Sequence, residues 1–371
     1  MERVISILFL LFTLLHGLVH MLGLVAYWPL AKISDLPYKT SLLGGRWDVG
    51  AGGMRLFSLL WLLAALLFLI AVLALILGKA SWASWMLAAA LLSLVLCLLD
   101  WGVAWRGALI DLLLLLILFV VFGLRAQPAA FPRFSGFPGP VTTAPRPAGL
   151  PAPVERYYWL IHGDGVPVYH SAVLSGRGTL RFMGVRFPAR WRFSHQTGQS
   201  YRHYIEATFY GFPIMKVNET YLDGHSRLEL PFGVVENDPN VNSAANIGMW
   251  AEMALFPASY LTVGRARWEP LDQHAALLHV PFLDGEQVFT VRFDPETGLL
   301  KNLETLRYLD QKRGKIRWWG EFVYEDVVDG VPGKTLLTAN WEHEHSPWMI
   351  IELDEAVFNS DLGQYIRQRG P

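Results

Sequence analysis

Cysteine is almost missing: one residue in 371, Cys97, inside a long apolar run. An intrachain disulfide is excluded, and so is any thiolate metal centre of the zinc-ribbon kind. The scarcity in the remainder fits a bacterial envelope protein and a cytosolic one equally. Net charge is also scarce, at −1, so no long-range field points to nucleic acid or to another polyanionic partner. What is present in quantity is apolar surface, and it is unevenly distributed. The chain changes solvent near Arg125, with four long apolar runs before it and a polar, strand-rich body of more than 200 residues after it.

Val4–Tyr27, Leu56–Leu77, Trp82–Leu99 and Ala108–Gly123 are each about long enough to cross a hydrocarbon core of roughly 30 Å as helices. The first is too long, and lacks the small-residue cleavage site, of a secretory signal peptide, so it is expected to remain. Tyr27, Trp28, Trp82, Trp85, Trp101 and Trp105 cluster at the run ends, as interfacial rings do. Four crossings place the N-terminus, the Lys79 turn and the body on one side, with the loops holding Lys32, Lys39, Arg46, Arg55 and Arg106 on the other. Against these stand Arg3, Lys79, Arg125 and Arg133, one charge fewer. The positive-inside rule therefore directs the loops to the cytoplasm and the body outside.

Polar residues inside an apolar run are costly, about 2.5–3.5 kcal/mol each on insertion scales. His16 and His20 lie four apart and share a helical face. Asp111 falls just inside the fourth run, Asp100 closes the third, and Arg106 occupies the turn between them. Antiparallel packing brings His20 and Asp111 to similar depth. One reading is a His–carboxylate relay, or a metal or haem site. The other is structural, with the histidines bonding across the bundle and Asp111 paired to Arg106 or capping its helix. The loop Leu36–Gly50 has glycines that turn chemistry explains, with no Gly-Lys-Ser/Thr ending and no preceding strand to make it a phosphate loop.

Residues 127–153 hold eight prolines and no apolar period, which reads as a semi-rigid polyproline II spacer. The domain plan is therefore a membrane domain over 1–125, a linker over 126–153 and a soluble domain over 154–371. Val154–Trp159 reads as a short amphipathic helix. Alternation and turn signals then give strands at Leu174–Phe182, Val185–Phe193, Arg202–Tyr210, Ile214–Leu222 and Ser226–Leu230. Asn240–Leu261 interrupts the strands with a helix that Asn242-Ser243 can cap and Phe256-Pro257 breaks. Strands resume at Arg265–Glu269, Ala275–Pro281, Gln287–Phe293, Leu300–Tyr308, Ile316–Val328, Lys334–His343 and Trp348–Phe358, with Asp329-Gly330 among the turns. The fold class is a four-span helical bundle followed by a mainly antiparallel β domain, an open half-barrel with one inserted helix.

Several stretches resemble a family of uncharacterised bacterial proteins known as a domain of unknown function. They are Leu150–Tyr157, Ala251–Ala258, Ala266–Pro270 and the Phe293–Gly298 turn, and the resemblance spans Leu150–Leu362. It implies no catalytic residues. The His16–His20 and Leu36–Gly50 segments are faintly similar to the four-helix membrane proteins of the DoxX group. By order of strands and helix, the body is similar to the lipoprotein carriers LolA and LolB, whose open barrels hold acyl chains; this is likeness of fold alone. The chain lacks the lipobox cysteine.

Chemistry is thin in the body. Glu342-His343-Glu344-His345 offers at most two ligands on one strand face and reads as strand-end charge. His195, His203 and His225 lack metal spacing, and no nucleophile elbow surrounds Ser194-His195. Aromatics are abundant, and most must fill the core. Trp250, Phe256, Trp268 and Trp341 are the candidates for lining a cavity that takes a lipid or other apolar ligand. Two functions follow: a membrane-anchored, non-enzymatic binding protein at the bacterial envelope, or a membrane redox or transport unit acting through His16, His20 and Asp111. No cofactor and no protein partner is implied by name.

Overall fold

The computed structural model describes residues 2–34, 36–328 and 331–371, so the Asp329-Gly330 turn lies outside the described residues. Contacts divide the chain into two compact units, Met1–Gly123 and Leu124–Pro371.

The first unit contains helices α1 (Glu2–Tyr27), α2 (Gly50–Ile76), α3 (Trp82–Leu99) and α4 (Trp101–Arg125), each long and apolar enough to cross a membrane. Between α1 and α2, strands β1 (Ser41–Leu42) and β2 (Trp47–Asp48) form a small hairpin. Leu42 is buried with Ala26, Tyr27 and Met54, so the loop packs onto the bundle. Both α2 and α4 begin earlier than hydropathy suggests. Gly52, Gly53, Gly102 and Gly107 read as loop, yet they lie within α2 and α4. Two expectations change with this. Arg106 lies within α4 rather than in a turn, its guanidinium 4.9 Å from the Trp105 ring, and Asp111 lies well into the helix rather than at its start. Gly17 matters for a different reason. A Cβ there would fall 2.7 Å from Phe68 Cβ, so only glycine lets α1 and α2 approach at the level of the histidines.

The second unit is built on one sheet. In chain order it has β3 (Thr142–Pro145), α5 (Ala152–His162), β4 (Gly165–Val168), β5 (Ser171–Phe182), β6 (Val185–Gln196), β7 (Ser200–Phe209), β8 (Phe212–Leu222), β9 (His225–Leu230) and β10 (Gly233–Glu236). There follow α6 (Pro239–Glu252), α7 (Ser259–Thr262), β11 (Arg267–Pro270), β12 (Ala275–Phe282), β13 (Gly285–Phe293), β14 (Leu300–Tyr308), β15 (Lys315–Val328), β16 (Val331–Trp341) and β17 (Met349–Phe358). Two meanders, β5 to β10 and β11 to β17, are joined by pairing of β5 with β17 into a 13-stranded antiparallel sheet with β10 and β11 at its edges. The sheet is not closed. Helix α6 packs against β8 and β9 on one wing and β12 and β14 on the other, so the sheet must curve around it.

Asp238, not Asn242-Ser243, caps α6: its carboxylate accepts from the Asn240 and Val241 amides, with Pro239 in the first turn. Asn242 is committed elsewhere, its side-chain oxygen accepting from the Ser226 amide at 2.7 Å. The Glu342–His345 run is a turn after β16, and Glu344 pairs with Arg181 at 2.7 Å.

The proline-rich segment departs most from expectation, because it does not run free. Strand β3 pairs with β4, and the Gly139 amide donates to the Phe358 and Asn359 carbonyls. Phe131 is buried against Tyr204, with Arg190 4.5 Å from its ring, and Phe134 packs on Tyr365. The reason lies in β6 and β7, where consecutive residues are buried on both faces of the sheet. One face meets α6. The other carries Arg192, Arg202, Tyr204 and Glu206, and such groups need polar partners once water is removed. The segment supplies the Pro132 carbonyl to Arg192, while the C-terminal stretch supplies the Tyr365, Gln368 and Gly370 carbonyls to Arg202. An extended, proline-rich backbone with free carbonyls suits this role as well as it suits a spacer.

Hydrogen–deuterium exchange is therefore expected to show peptides across 131–145 exchanging at least about tenfold slower than an unstructured chain. Exchange at the unprotected rate would mean that the segment is a free tether.

Candidate functional site

The curved sheet is incompletely filled by α6, and a cavity of about 760 Å³ remains between the helix and the two wings. One water occupies roughly 30 Å³ of liquid, so this is a large departure from close packing. Leu180, Phe193, Ile205, Met215, Val217 and Leu228 line it from the β5–β10 wing. Leu303, Trp318, Leu337, Trp341, Met349 and Ile351 line it from the other, and Val241, Ala244, Gly248 and Ala251 form the helical wall. At the rim Phe182 and Phe232 stack with centroids 5.6 Å apart, and Phe232 is 76% exposed.

Polar groups converge on part of this apolar wall. His203, Glu219, Glu252 and Arg307 all line the cavity. The register of β7 and β8 sets His203 directly opposite Glu219, with His203 Nδ1 3.4 Å from Glu219 Oε2. On the next strand, β6, His195 faces the same side, and Glu252 comes from the last residue of α6. His203 Nε2 lies 2.6 Å and His195 Nε2 3.0 Å from one oxygen, Glu252 Oε2.

Burial pulls both imidazoles down, with different outcomes. At His195, burial outweighs Glu252 and the pKa falls, whereas at His203 the Glu252 and Glu219 carboxylates outweigh burial and hold the pKa at about 9. Burial alone would raise the Glu252 carboxyl, but the two histidines against it bring it down to about 2. Glu219 is likewise lowered, its burial overcome by His203. Without any bound group, His203 is thus a cation between two carboxylates, with a neutral His195 beside it. Arg307 stands apart. Its Nε donates to the Ala244 carbonyl at 3.1 Å and its guanidinium lies 5.2 and 5.7 Å from the Trp318 and Trp341 rings.

The aromatic candidates are divided by the structure. Trp341 stands in the cavity wall. Trp250 and Phe256 are core residues: the Trp250 carbonyl accepts from Tyr260 Oη at 2.6 Å, and Phe256 packs on His195 with centroids 5.4 Å apart. Trp268 packs edge-on against Tyr260 at 6.1 Å. The His203 group was missed because its spacing in the chain carries no signature. A β-bulge between Ala207 and Thr208 shifts the register by one. An unbulged hairpin puts Asn218, not Glu219, opposite His203.

In the helical bundle, His16, His20 and Asp111 form a connected network with Ser93. Asp111 Oδ1 lies 2.9 Å from His16 Nε2, and Asp111 Oδ2 accepts from Ser93 Oγ at 2.6 Å. His20 Nε2 is 2.7 Å from the same Ser93 Oγ, and His20 Nδ1 is 2.8 Å from the His16 carbonyl. The direct partner of Asp111 is therefore His16 rather than His20, as the longer α4 requires, and Arg106 takes no part. With both its nitrogens engaged, His20 has none left for a metal. Nearer the end of the helices, Asp100 accepts from Tyr27 Oη and pairs with Lys39.

Residues 140–353 match the model of a family of unknown function, DUF6544. Since the match covers more than half of the chain, the chain belongs to that family. No curated protein matches the sequence. Among solved structures, a LolA superfamily protein from Nitrosomonas europaea is 9% identical, with 60% of this chain and 99% of that one covered and a TM-score of 0.35. A DUF1329 family protein from Desulfovibrio piger is 14% identical over 58% and 96%, at 0.30. A putative outer membrane lipoprotein-sorting protein domain from Vibrio parahaemolyticus is 12% identical over 53% and 89%, at 0.29.

Proposed function

We propose that this member of the DUF6544 family is a membrane-anchored, non-enzymatic binding protein at the bacterial envelope, with a lipid or other apolar molecule held in the cavity of its β domain. The observation that carries this reading is the cavity itself. It has the volume of a small-molecule site, mostly apolar walls and a few converging polar groups. Its aromatic rim suits an apolar molecule, and the His203, Glu219, Glu252 and Arg307 side gives a polar group on that molecule something to meet. The four apolar helices are the anchor in this reading, and the one-charge excess of basic residues in the loops favours a β domain outside the cytoplasm.

A second reading is supported by the bundle. A continuous His16–Asp111–Ser93–His20 network has the composition of a proton relay, as a redox or transport unit would use.

Binding of a fluorescent fatty-acid analogue to the purified full chain tests the first reading. Val217→Trp, which places an indole in the cavity, is expected to weaken binding by about tenfold, or roughly 1.4 kcal/mol. No saturable binding by the wild type would remove the proposal. For the second reading, wild-type proteoliposomes should pass protons down an imposed gradient and Asp111→Asn proteoliposomes should not. Equal flux in both counts against it. Sidedness is read by thiol labelling in intact cells of a Cys97→Ala background: Glu296→Cys should react with a membrane-impermeant reagent and Ser41→Cys should not. The opposite pattern would put the domain in the cytoplasm.

A further inference from the structure

We propose that His195, His203 and Glu252 form a binding site for a divalent transition-metal ion in the cavity wall. Among the described residues, these three each offer one ligand atom within 4.8 Å of the others. They come from three separate elements, β6, β7 and the end of α6, which the fold brings to one point. Both histidine Nε2 atoms approach the same Glu252 oxygen, at 2.6 and 3.0 Å. Tetrahedral ligands bound at about 2.0–2.1 Å stand roughly 3.4 Å from one another, so each histidine nitrogen needs to part from the Glu252 oxygen by less than about 1 Å, while the two histidine nitrogens start within 4.8 Å of each other.

An ordinary buried ion pair accounts for His203 and Glu252. It does not account for His195. That ring is fully buried, and its 3.0 Å approach to Glu252 lacks hydrogen-bond geometry, which leaves both ring nitrogens without a hydrogen-bond partner. Leaving such a group unsatisfied is costly, and an ion at the convergence point gives its Nε2 a partner. His203 has the outer partner that metal-bound histidines usually keep, because Glu219 stands against its Nδ1 and leaves Nε2 to face the ion.

Two imidazole nitrogens with one carboxylate oxygen suit zinc and its first-row neighbours, not magnesium or calcium, which prefer all-oxygen sets. His203 and Glu252 line the cavity while His195 lies behind them, so the remaining coordination position opens into the cavity. The site stands independently of what fills the apolar space, and its failure would leave the binding reading intact.

The test is metal analysis of the untagged full chain in detergent, after incubation with Zn²⁺ or Co²⁺ and removal of excess ion. About one ion per chain is expected, with the Co²⁺ form showing the d–d absorption of an imidazole-ligated ion. His195→Ala/Glu252→Gln should lower occupancy by about tenfold or more, and His16→Ala/His20→Ala should leave it unchanged. Occupancy below about a tenth of an ion per chain in the wild type overturns the proposal, as does undiminished occupancy in the folded double variant. If that variant fails to fold, the wild-type Co²⁺ spectrum decides: a spectrum identical to aqueous Co²⁺ overturns the site.

Discussion

Pairing of β5 with β17 is the constraint from which the rest of the β domain follows. Each meander alone is a sheet with one face to cover. Joined along that seam, they become two wings that must curve toward each other, and the connection between them carries α6 into the space so formed. One helix does not fill it. The seam is unusually close: a Cβ at Gly176 would collide with the Glu352 carbonyl, and one at Gly178 with the Ile350 carbonyl. These two glycines serve backbone approach, not turn geometry. The seam therefore sets the cavity and also the meeting of the β6–β7 histidines with the helix end, since both depend on how the wings wrap α6.

Much of this architecture was legible in the sequence. Alternating apolar residues between Gly, Asp-Gly and Thr-Gly turns located most strands of the long sheet, because period-two burial and turn chemistry are local properties. The β5–β17 pairing was not, since it joins residues nearly 180 positions apart and only Ser175-Gly176-Arg177-Gly178 hinted at close packing. The docked segment was illegible for a different reason. Proline-rich backbone is extended whether it is solvated or lies on a sheet, and the demand for it comes from Arg192 and Arg202, buried on a face that alternation assigned to water. The sites show the same division. His16 and His20 stood out by spacing on a helix, but their partner Ser93 did not, and Asp111 fell to the wrong depth until α4 was extended to Trp101. His203 and Glu219 became partners only through a bulge.

Both units spend stability on buried polar groups. In the bundle His16, His20, Ser93 and Asp111 bond to one another, which explains why they persist in an apolar setting whether or not they act as a relay. In the β domain the account is open. His195 is left without a hydrogen-bond partner in a site that otherwise pairs its charges, and Arg307 has aromatic and carbonyl neighbours and acts on Glu219 only through its charge. Open polar valence beside a large apolar space is what the proposed binding function rests on.

Native mass spectrometry of the intact chain, released from detergent micelles, bears most directly on the claim that the cavity holds an apolar molecule. The account predicts a bound lipid or other apolar molecule on the wild type that is missing from Val217→Trp. A bare polypeptide mass for the wild type, persisting after incubation with membrane lipid extract, would contradict it.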